Sequence, residues 1–215
     1  MTTHRPRPVI FDMDGVLVDS EPVYERAFRS FIDAIGRRGM EAWYPKTLGR
    51  RQADYVPELA AALGHGIDEV AAGLSASVAA HLDCAPPAMP GVPEAVYRIA
   101  HRRATGLASS SRRVFVDRVL AGLGLSEVFS AVATGDEVSR GKPHPDLYQL
   151  AARRLGIDPA DAIAIEDTPA GIASAKAAGL TVIAIPNAHT RGLDLEAADV
   201  VVDSLEAAAA HIALR

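Results

Sequence analysis

The sequence predicts an α/β protein: a Rossmann-like parallel sheet core with an inserted α-helical cap domain. Three observations predict this class. A short apolar run near the N-terminus leads directly into acidic residues. A long stretch then repeats its apolar residues at helical spacing, and the remainder of the chain alternates short apolar strands with helices.

The composition is that of an ordinary globular protein, with 215 residues of which 49% are hydrophobic. The net charge of −5 argues against a nucleic-acid partner, because binding by phosphate neutralisation needs positive surface. No apolar run reaches the length of a membrane span, and the polar N-terminus lacks the apolar segment of a signal peptide. We therefore expect no membrane partner. The single cysteine, Cys84, excludes an internal disulfide, which suits a reducing compartment, so we expect a cytoplasmic protein.

The first predicted strand runs from Val9 to Phe11 and ends where the acids begin. Asp is depleted in strands, and Gly15 lets the chain turn, so Asp12 and Asp14 lie at the carboxyl end of the strand. Open α/β sheets bind their ligands at this end. Because side chains two apart share a side of a strand, we expect the two carboxylates to converge on one bound group. Neighbouring carboxylates repel unless a cation or a proton relieves them, which favours metal-assisted chemistry.

The stretch from residue 16 to residue 89 predicts a helical domain. Its apolar residues recur at helical spacing in three runs, which begin near Val23, Leu59 and Val70. Ser20-Glu21-Pro22 is typical of a helix start, with Pro in the first turn. The proline-rich run 85–91 is a stiff linker, and we interpret it as a domain boundary.

The rest of the chain alternates strands and helices. Strands are predicted at 106–109, 131–134, 162–165, 181–185 and 200–202. Helices are predicted at 112–123, 145–155 and 168–178. Regular alternation implies right-handed crossovers and a parallel sheet, which the N-terminal strand joins. We therefore expect a core of residues 1–15 and 90–215, with residues 16–89 inserted as the cap.

Further polar groups follow the later strands. Ser109 and Ser110 stand where a strand meets a helix, and helix-start amides with hydroxyl groups bind anions. Lys142 offers a compact cation in a turn. Glu166 and Asp167 end another buried strand. Each feature alone also fits a structural role, as a helix cap, a surface charge or a complement to a helix dipole. Because all of them follow strand ends, we interpret them together as one binding site.

These segments resemble the motifs of the haloacid dehalogenase superfamily, in the same order. The matching runs are FDMDGVLVDSE at 11–21, LASSS at 107–111, SRGKP at 139–143 and AIAIEDTPAGI at 162–172. The inserted cap resembles that of the subgroup containing β-phosphoglucomutase and phosphoglycolate phosphatase-type enzymes. The resemblance covers nearly the whole chain, and it implies a Mg²⁺-dependent phosphohydrolase.

The resemblance also implies roles for the matching residues. Asp12 attacks phosphorus and forms an aspartyl-phosphate, while Asp14 acts as general acid and then as general base. Ser109 contacts the phosphate, and Lys142 steadies both the phosphate and Asp12. The implied Mg²⁺ ligands are the Asp12 carboxylate, the Asp14 backbone carbonyl and the Asp167 carboxylate. Glu166 would act through a water or from a second layer.

The substrate is expected to be a small phosphate ester, with a sugar phosphate preferred. We expect it to contact the following residues: Ser109, Ser110, Lys142, Glu21 and Arg50. The mutase needs a His and an Arg in the cap, where this sequence has Tyr24 and Gln52, so a phosphatase is favoured and a β-phosphoglucomutase-like mutase stays an alternative. A non-catalytic phospho-ligand binding protein is the alternative of another class. We expect a monomer or weak dimer.

Overall fold

The computed structural model describes residues 6–81 and 86–214, and within them a six-stranded sheet runs in the order β3-β2-β1-β4-β5-β6 with every neighbouring pair parallel. The strands are β1 (Val9–Phe11), β2 (Thr105–Ser109), β3 (Ala131–Thr134), β4 (Ile163–Glu166), β5 (Thr181–Ala184) and β6 (Val200–Val201). The helices are α1 (Glu21–Ala34), α2 (Gln52–Leu63), α3 (Ile67–His81), α4 (Glu94–Ala100), α5 (Arg113–Gly122), α6 (Asp146–Leu155), α7 (Pro169–Ala178) and α8 (Leu205–Ala213). The predicted α/β class is confirmed.

The two faces of the sheet bury separate apolar clusters. Val9 and Phe11 pack on one side with residues of α4, α5 and α8, whereas Ile10 packs on the other side with residues of α6 and α7. The alternation follows from the pleat, which points successive side chains to opposite faces. All three side chains of β1 are completely buried, as expected for a central parallel strand. The sequence pattern did not predict α4 and α8.

Register places the functional strand ends together. Phe11, the last residue of β1, stands opposite Leu107 of β2 and Ile165 of β4. The next backbone N–H, that of Asp12, donates to the carbonyl of Ile165 at 2.9 Å. The residues after these strands therefore share one edge of the sheet, where parallel sheets bind their ligands.

The helices α1, α2 and α3 lie between β1 and β2 and form their own apolar cluster. Together with the 3₁₀ helix Glu41–Thr47, they surround the buried side chains of Phe28, Phe31, Ile32, Val56, Leu59, Ala60, Leu63, Val70 and Leu74. This cluster agrees with the predicted helical runs. Among the described residues, no helix is both long and apolar enough to cross a bilayer. Cys84 and the start of the 85–91 linker lie outside the described residues.

Two adjacent segments connect the helical domain to the sheet. Val18 forms an antiparallel bridge with Ala88. The Asp19 N–H donates to the Pro87 carbonyl at 2.9 Å, and the Met89 N–H donates to the Leu17 carbonyl at 2.9 Å. The outgoing chain thus returns beside the incoming one, and Leu17 and Val18 pack within the apolar cluster of the sheet.

The contact between α1 and α3 depends on a glycine. Gly73 of α3 faces the Phe31 ring so closely that a Cβ would overlap it. Phe31 is buried within the apolar cluster of the helices, so its ring must shift against packed neighbours to make room. We expect Gly73→Ala to lower the free energy of unfolding by about 1–3 kcal/mol through overpacking, although Ala is intrinsically the better helix former by about 1 kcal/mol. Urea denaturation measures the difference.

Gly66→Ala is the matched control, because the nearest atom to its new Cβ would lie at 3.9 Å. Neither glycine has a positive φ. A Gly73→Ala variant as stable as Gly66→Ala would show that α1 and α3 can move apart at little cost.

Candidate active site

A buried ion pair lies at the shared strand end. The Lys142 ammonium donates to Asp12 Oδ1 and to Glu166 Oε1, both at 2.6 Å, and its side chain is only 1% exposed. Burial by itself lowers the pKa of Lys142, but the charges of Asp12 and Glu166 raise it above its ordinary value, so the side chain is a fixed cation. Tyr148 of α6 donates to Glu166 Oε1 at 2.8 Å.

Three acids gather around this cation. Carboxylate oxygens of Asp12, Glu166 and Asp167 all lie within 4.8 Å of one another. Burial raises the pKa of Asp12 to about 8 against the opposing charge of Lys142, and burial also raises the pKa of Asp167 well above its ordinary value. One ammonium cannot neutralise three carboxylates, so the cluster favours a further positive charge.

The hydrogen bonds show which acid has room for a cation. Both Glu166 oxygens are occupied: Oε1 accepts from Lys142 and Tyr148, and Oε2 accepts from the Asp167 N–H at 3.1 Å. Asp167 Oδ1 is buried and finds no hydrogen-bond partner in the part of the chain that the structure describes. Buried carboxylate oxygens without a donor suit a hard cation such as Mg²⁺, so these residues fit a divalent metal.

The Asp14 carboxylate is bonded to hydroxyl groups and not to Lys142. It accepts hydrogen bonds from three hydroxyl groups, those of Ser20 at 2.5 Å, Ser111 at 2.9 Å and Ser109 at 3.4 Å. Burial raises the pKa of Asp14, while these hydroxyl groups lower it by a smaller amount. The raised pKa favours a protonated carboxyl group, as a general acid requires.

The expected convergence of the Asp12 and Asp14 carboxylates on one bound group stays a prediction, and both residues line the same cleft. The strand ends at Phe11, and the chain turns from Met13 onward, with the N–H of Leu17 donating to the Met13 carbonyl at 2.8 Å. Asp14 accepts hydrogen bonds from the hydroxyl groups of Ser109 and Ser111, which follow β2.

The serines after β2 differ in their partners. Ser109 is fully buried beside Asp14, and its hydroxyl accepts the N–H of Ser111 at 3.1 Å. Ser110 donates to the carbonyl of Gly49 in the cap at 3.0 Å. The Ser111 hydroxyl lies 3.3 Å from the hydroxyl of Tyr24 on α1. This loop thus joins the sheet edge to the cap.

A cleft of about 810 Å³ opens between the cap and the sheet. It is lined by Asp12, Asp14 and Lys142 at its base and by residues of both domains around it, including Glu21, Tyr24, Tyr55, Leu74, Val78, Ser110 and Phe115. Its volume is within the range of small-molecule sites. Burial raises the pKa of Glu21 to about 7, and its carboxylate accepts a hydrogen bond from Tyr44.

The polar side chains at the start of α2 are already paired within the protein. Arg50 donates to Glu58 at 2.7 Å and to the Asp54 carbonyl at 2.9 Å. Gln52 donates to the Ala71 carbonyl at 2.9 Å. Arg50 still lines the cleft, so its expected contact with substrate stays a prediction.

The sequence did not predict two residues that donate hydrogen bonds to the acid cluster, Asn187 and Tyr148. Asn187 donates from Nδ2 to Asp167 Oδ2 at 2.8 Å and to the Gly15 carbonyl at 3.1 Å. It follows β5, so the rule that ligands gather beyond the carboxyl ends of strands would have found it. Tyr148 lies within a buried helix face, and its spacing gives no sign of a contact with Glu166.

Comparisons with known proteins agree with this geometry. Residues 7–179 match the family model for haloacid dehalogenase-like hydrolase. The chain is 34% identical to Protein CbbY of Rhodobacter capsulatus, over 94% of this chain and 95% of that protein. It is 36% identical to hexitol phosphatase B of Escherichia coli (strain K12), over 82% of each.

A solved structure of a CbbY mutant from Rhodobacter sphaeroides, in complex with xylulose-(1,5)bisphosphate, matches with a TM-score of 0.74 and 26% identity. The match covers 93% of this chain and 95% of that chain. Together these findings confirm the resemblance drawn from the sequence motifs.

Replacing Lys142 by Met should show how strongly this cation stabilises the buried acids. Asp12 and Glu166 would remain buried without their cation, and we expect the free energy of unfolding to fall by about 3–5 kcal/mol at pH 8. Loss of the cation raises the pKa of Asp12 further, so the folded state binds more protons than the unfolded state. The deficit should therefore shrink as the pH falls toward 5. Urea denaturation at both pH values measures it.

Lys176→Met is the matched control. Lys176 pairs with Asp199 at 2.7 Å, but each side chain is 38% exposed, so we expect a loss of less than about 1 kcal/mol. If both variants lost the same free energy of unfolding, the buried pairing of Lys142 would be worth no more than an exposed ion pair.

Proposed function

Because the chain belongs to the haloacid dehalogenase-like hydrolase family, we propose that it is a Mg²⁺-dependent phosphatase of a small phosphomonoester, with a sugar phosphate as the preferred substrate. 

The observation that carries the proposal is the cluster of Asp12, Glu166 and Asp167, in which Asp12 and its partner Lys142 line the cleft between the cap and the sheet. Hexitol phosphatase B, a relative at 36% identity, is named for the same class of reaction. The enzyme would act in the cytoplasm as a monomer or weak dimer.

The proposed metal site uses the acids with unoccupied oxygens. Asp12 and Asp167 would supply carboxylate oxygens and Asp14 its backbone carbonyl, while Glu166, whose oxygens already accept hydrogen bonds, would act through a water. When bound, Mg²⁺ would neutralise charge on the phosphoryl oxygens. The unpartnered Asp167 Oδ1 supports this assignment.

The proposed chemistry has two steps. Asp12 attacks phosphorus, so that an oxygen–phosphorus bond forms to Asp12 as the bond to the leaving oxygen breaks, and Asp14 donates its proton to that oxygen. Asp14 then takes a proton from a water that attacks the aspartyl-phosphate, which releases phosphate and restores Asp12. Lys142 and Ser109 would stabilise the phosphoryl oxygens in both steps.

The cap, proposed as residues 16–89, would hold the leaving group over this centre. Glu21, Ser110 and Arg50 are the proposed polar contacts, and all three line the cleft. A phosphatase is favoured over a mutase because Tyr24 and Gln52 replace the His and Arg that the mutase uses. In this structure, Tyr24 lies against the Ser111 hydroxyl and Gln52 donates to the Ala71 carbonyl.

Asp12→Asn tests the proposed nucleophile. We expect Mg²⁺-dependent release of phosphate from hexitol phosphates, other sugar phosphates or p-nitrophenyl phosphate, and a loss of about 10⁴-fold or more in the variant, because an amide is a poor nucleophile. The exposed Asp194→Asn is the control. β-Glucose 1-phosphate with a bisphosphate activator belongs in the panel, since isomerisation without phosphate release would identify a mutase. Turnover by Asp12→Asn at the parent rate would refute the mechanism.

Asn187→Ala tests the proposed metal site without changing an acid. Asn187 orients Asp167, and loss of such a supporting hydrogen bond weakens metal sites by roughly 10- to 100-fold. The Mg²⁺ concentration that half-maximally raises the melting temperature should increase by this factor.

Thr190→Ala is the matched control, because Thr190 accepts the Asn187 N–H at 3.0 Å and so belongs to the same turn. We expect it to change the Mg²⁺ requirement by less than about threefold. If the two variants need the same Mg²⁺ concentration as the parent, Asp167 does not hold the metal.

A further inference from the structure

Every N–H donor of the Arg51 guanidinium has an acceptor. Nε and Nη2 donate to the two carboxylate oxygens of Asp54 at 2.7 and 2.6 Å. Nη1 donates to the carbonyls of Gly135 and Val138 at 2.8 and 2.6 Å, and Nη2 also donates to the Ser139 carbonyl at 3.0 Å. A guanidinium has five donors, so none is left for a substrate. The side chain is 11% exposed.

These acceptors belong to two different domains. Asp54 lies on α2 in the cap, in an ion pair three residues from Arg51. The three carbonyls belong to the loop 135–139, which follows β3 and leads to Lys142. Gly135 is 84 residues from Arg51 in sequence, so the contact exists only when the cap is seated on the sheet domain.

Glycines in and just after the loop 135–139 leave room for the Arg51 side chain. A Cβ on Gly141 would overlap both the Arg51 guanidinium and the Asp54 carboxylate, and a Cβ on Gly135 would overlap the Ser110 carbonyl. Glycine at these two positions permits the close approach. The neighbouring Arg50, in contrast, donates within the described residues only to acceptors in the cap, those of Lys46, Asp54 and Glu58.

We propose that Arg51 is a positioning residue, which fastens the cap to the loop 135–139 and thereby sets the closed geometry in which the leaving group is held. The inference rests on the proposed phosphatase function. The fastened cap also places Tyr24 beside Ser111, whose hydroxyl donates to Asp14. Arg51 thus acts on the reaction through the cap and does not touch the substrate.

The first test compares two substrates. In Arg51→Ala, we expect kcat/KM to fall roughly 10- to 100-fold for the best sugar phosphate, whose leaving group needs the closed cap. For acetyl phosphate, which has a small leaving group, it should fall by less than about threefold. Arg51→Lys should restore little, because an ammonium lacks the planar fork. Millimolar guanidinium chloride should partly rescue Arg51→Ala on the sugar phosphate.

Arg140→Ala is the matched control. Arg140 lies on the same stretch of chain and pairs with Asp146 inside the sheet domain, with its side chain 60% exposed. We expect parental kcat/KM on both substrates. Equal losses on both substrates in Arg51→Ala, accompanied by a lower melting temperature, would overturn the proposal in favour of a purely structural role. Parental kcat/KM on the sugar phosphate would also overturn it.

A second measurement separates this inference from the proposed function. Small-angle X-ray scattering of the substrate-free protein should give a larger radius of gyration for Arg51→Ala than for the parent or Arg140→Ala. If the parent releases no phosphate from any ester but this difference is present, the proposed function fails and the fastening role stands. If all three proteins have the same radius of gyration, Arg51 does not set the closed position of the cap.

Discussion

The buried contact of Lys142 with Asp12 and Glu166 is the constraint on which the site depends. The two carboxylates end neighbouring strands, and each is bonded to the same ammonium at 2.6 Å. Burying any of these charges alone would be strongly unfavourable, so the three stabilise one another. The sheet supplies the geometry, because the parallel pairing of β1 with β4 brings both strand ends to one edge.

Two glycines leave room for the buried acids, because their backbone lies directly against the acidic side chains. A Cβ on Gly171 would overlap the Glu166 carboxylate, and a Cβ on Gly15 would overlap Asp167 and Asn187. Gly15 also has a φ of 81°, a conformation that L side chains rarely adopt. The glycines in the first and last acidic motifs therefore serve the packing of the acids themselves. Their positions explain why acids and glycines occur together in these motifs.

The cap and the sheet domain contribute different parts of the site. The sheet domain holds the acids and the cation, whereas the cap contributes the wall of the cleft and Glu21. The side chains of Arg50, Arg51 and Gln52 donate to protein acceptors, and Arg50 also lines the cleft. Contacts of Tyr24, Gly49 and Arg51 with the sheet domain define where that wall stands.

The sequence by itself determined the α/β class, the inserted helices and the identity of the acids at the strand ends, because each of these depends on local patterns. Only the tertiary structure decided the hydroxyl partners of Asp14, the contact between Tyr148 and Glu166, and the hydrogen bonds of Arg51 to the loop 135–139. The predicted strand ends before Asp14, so its periodicity could not identify these hydroxyl groups. The other contacts join residues far apart in sequence, such as Lys142 and Asp12 at a separation of 130, and no local pattern encodes which distant partner a side chain will meet.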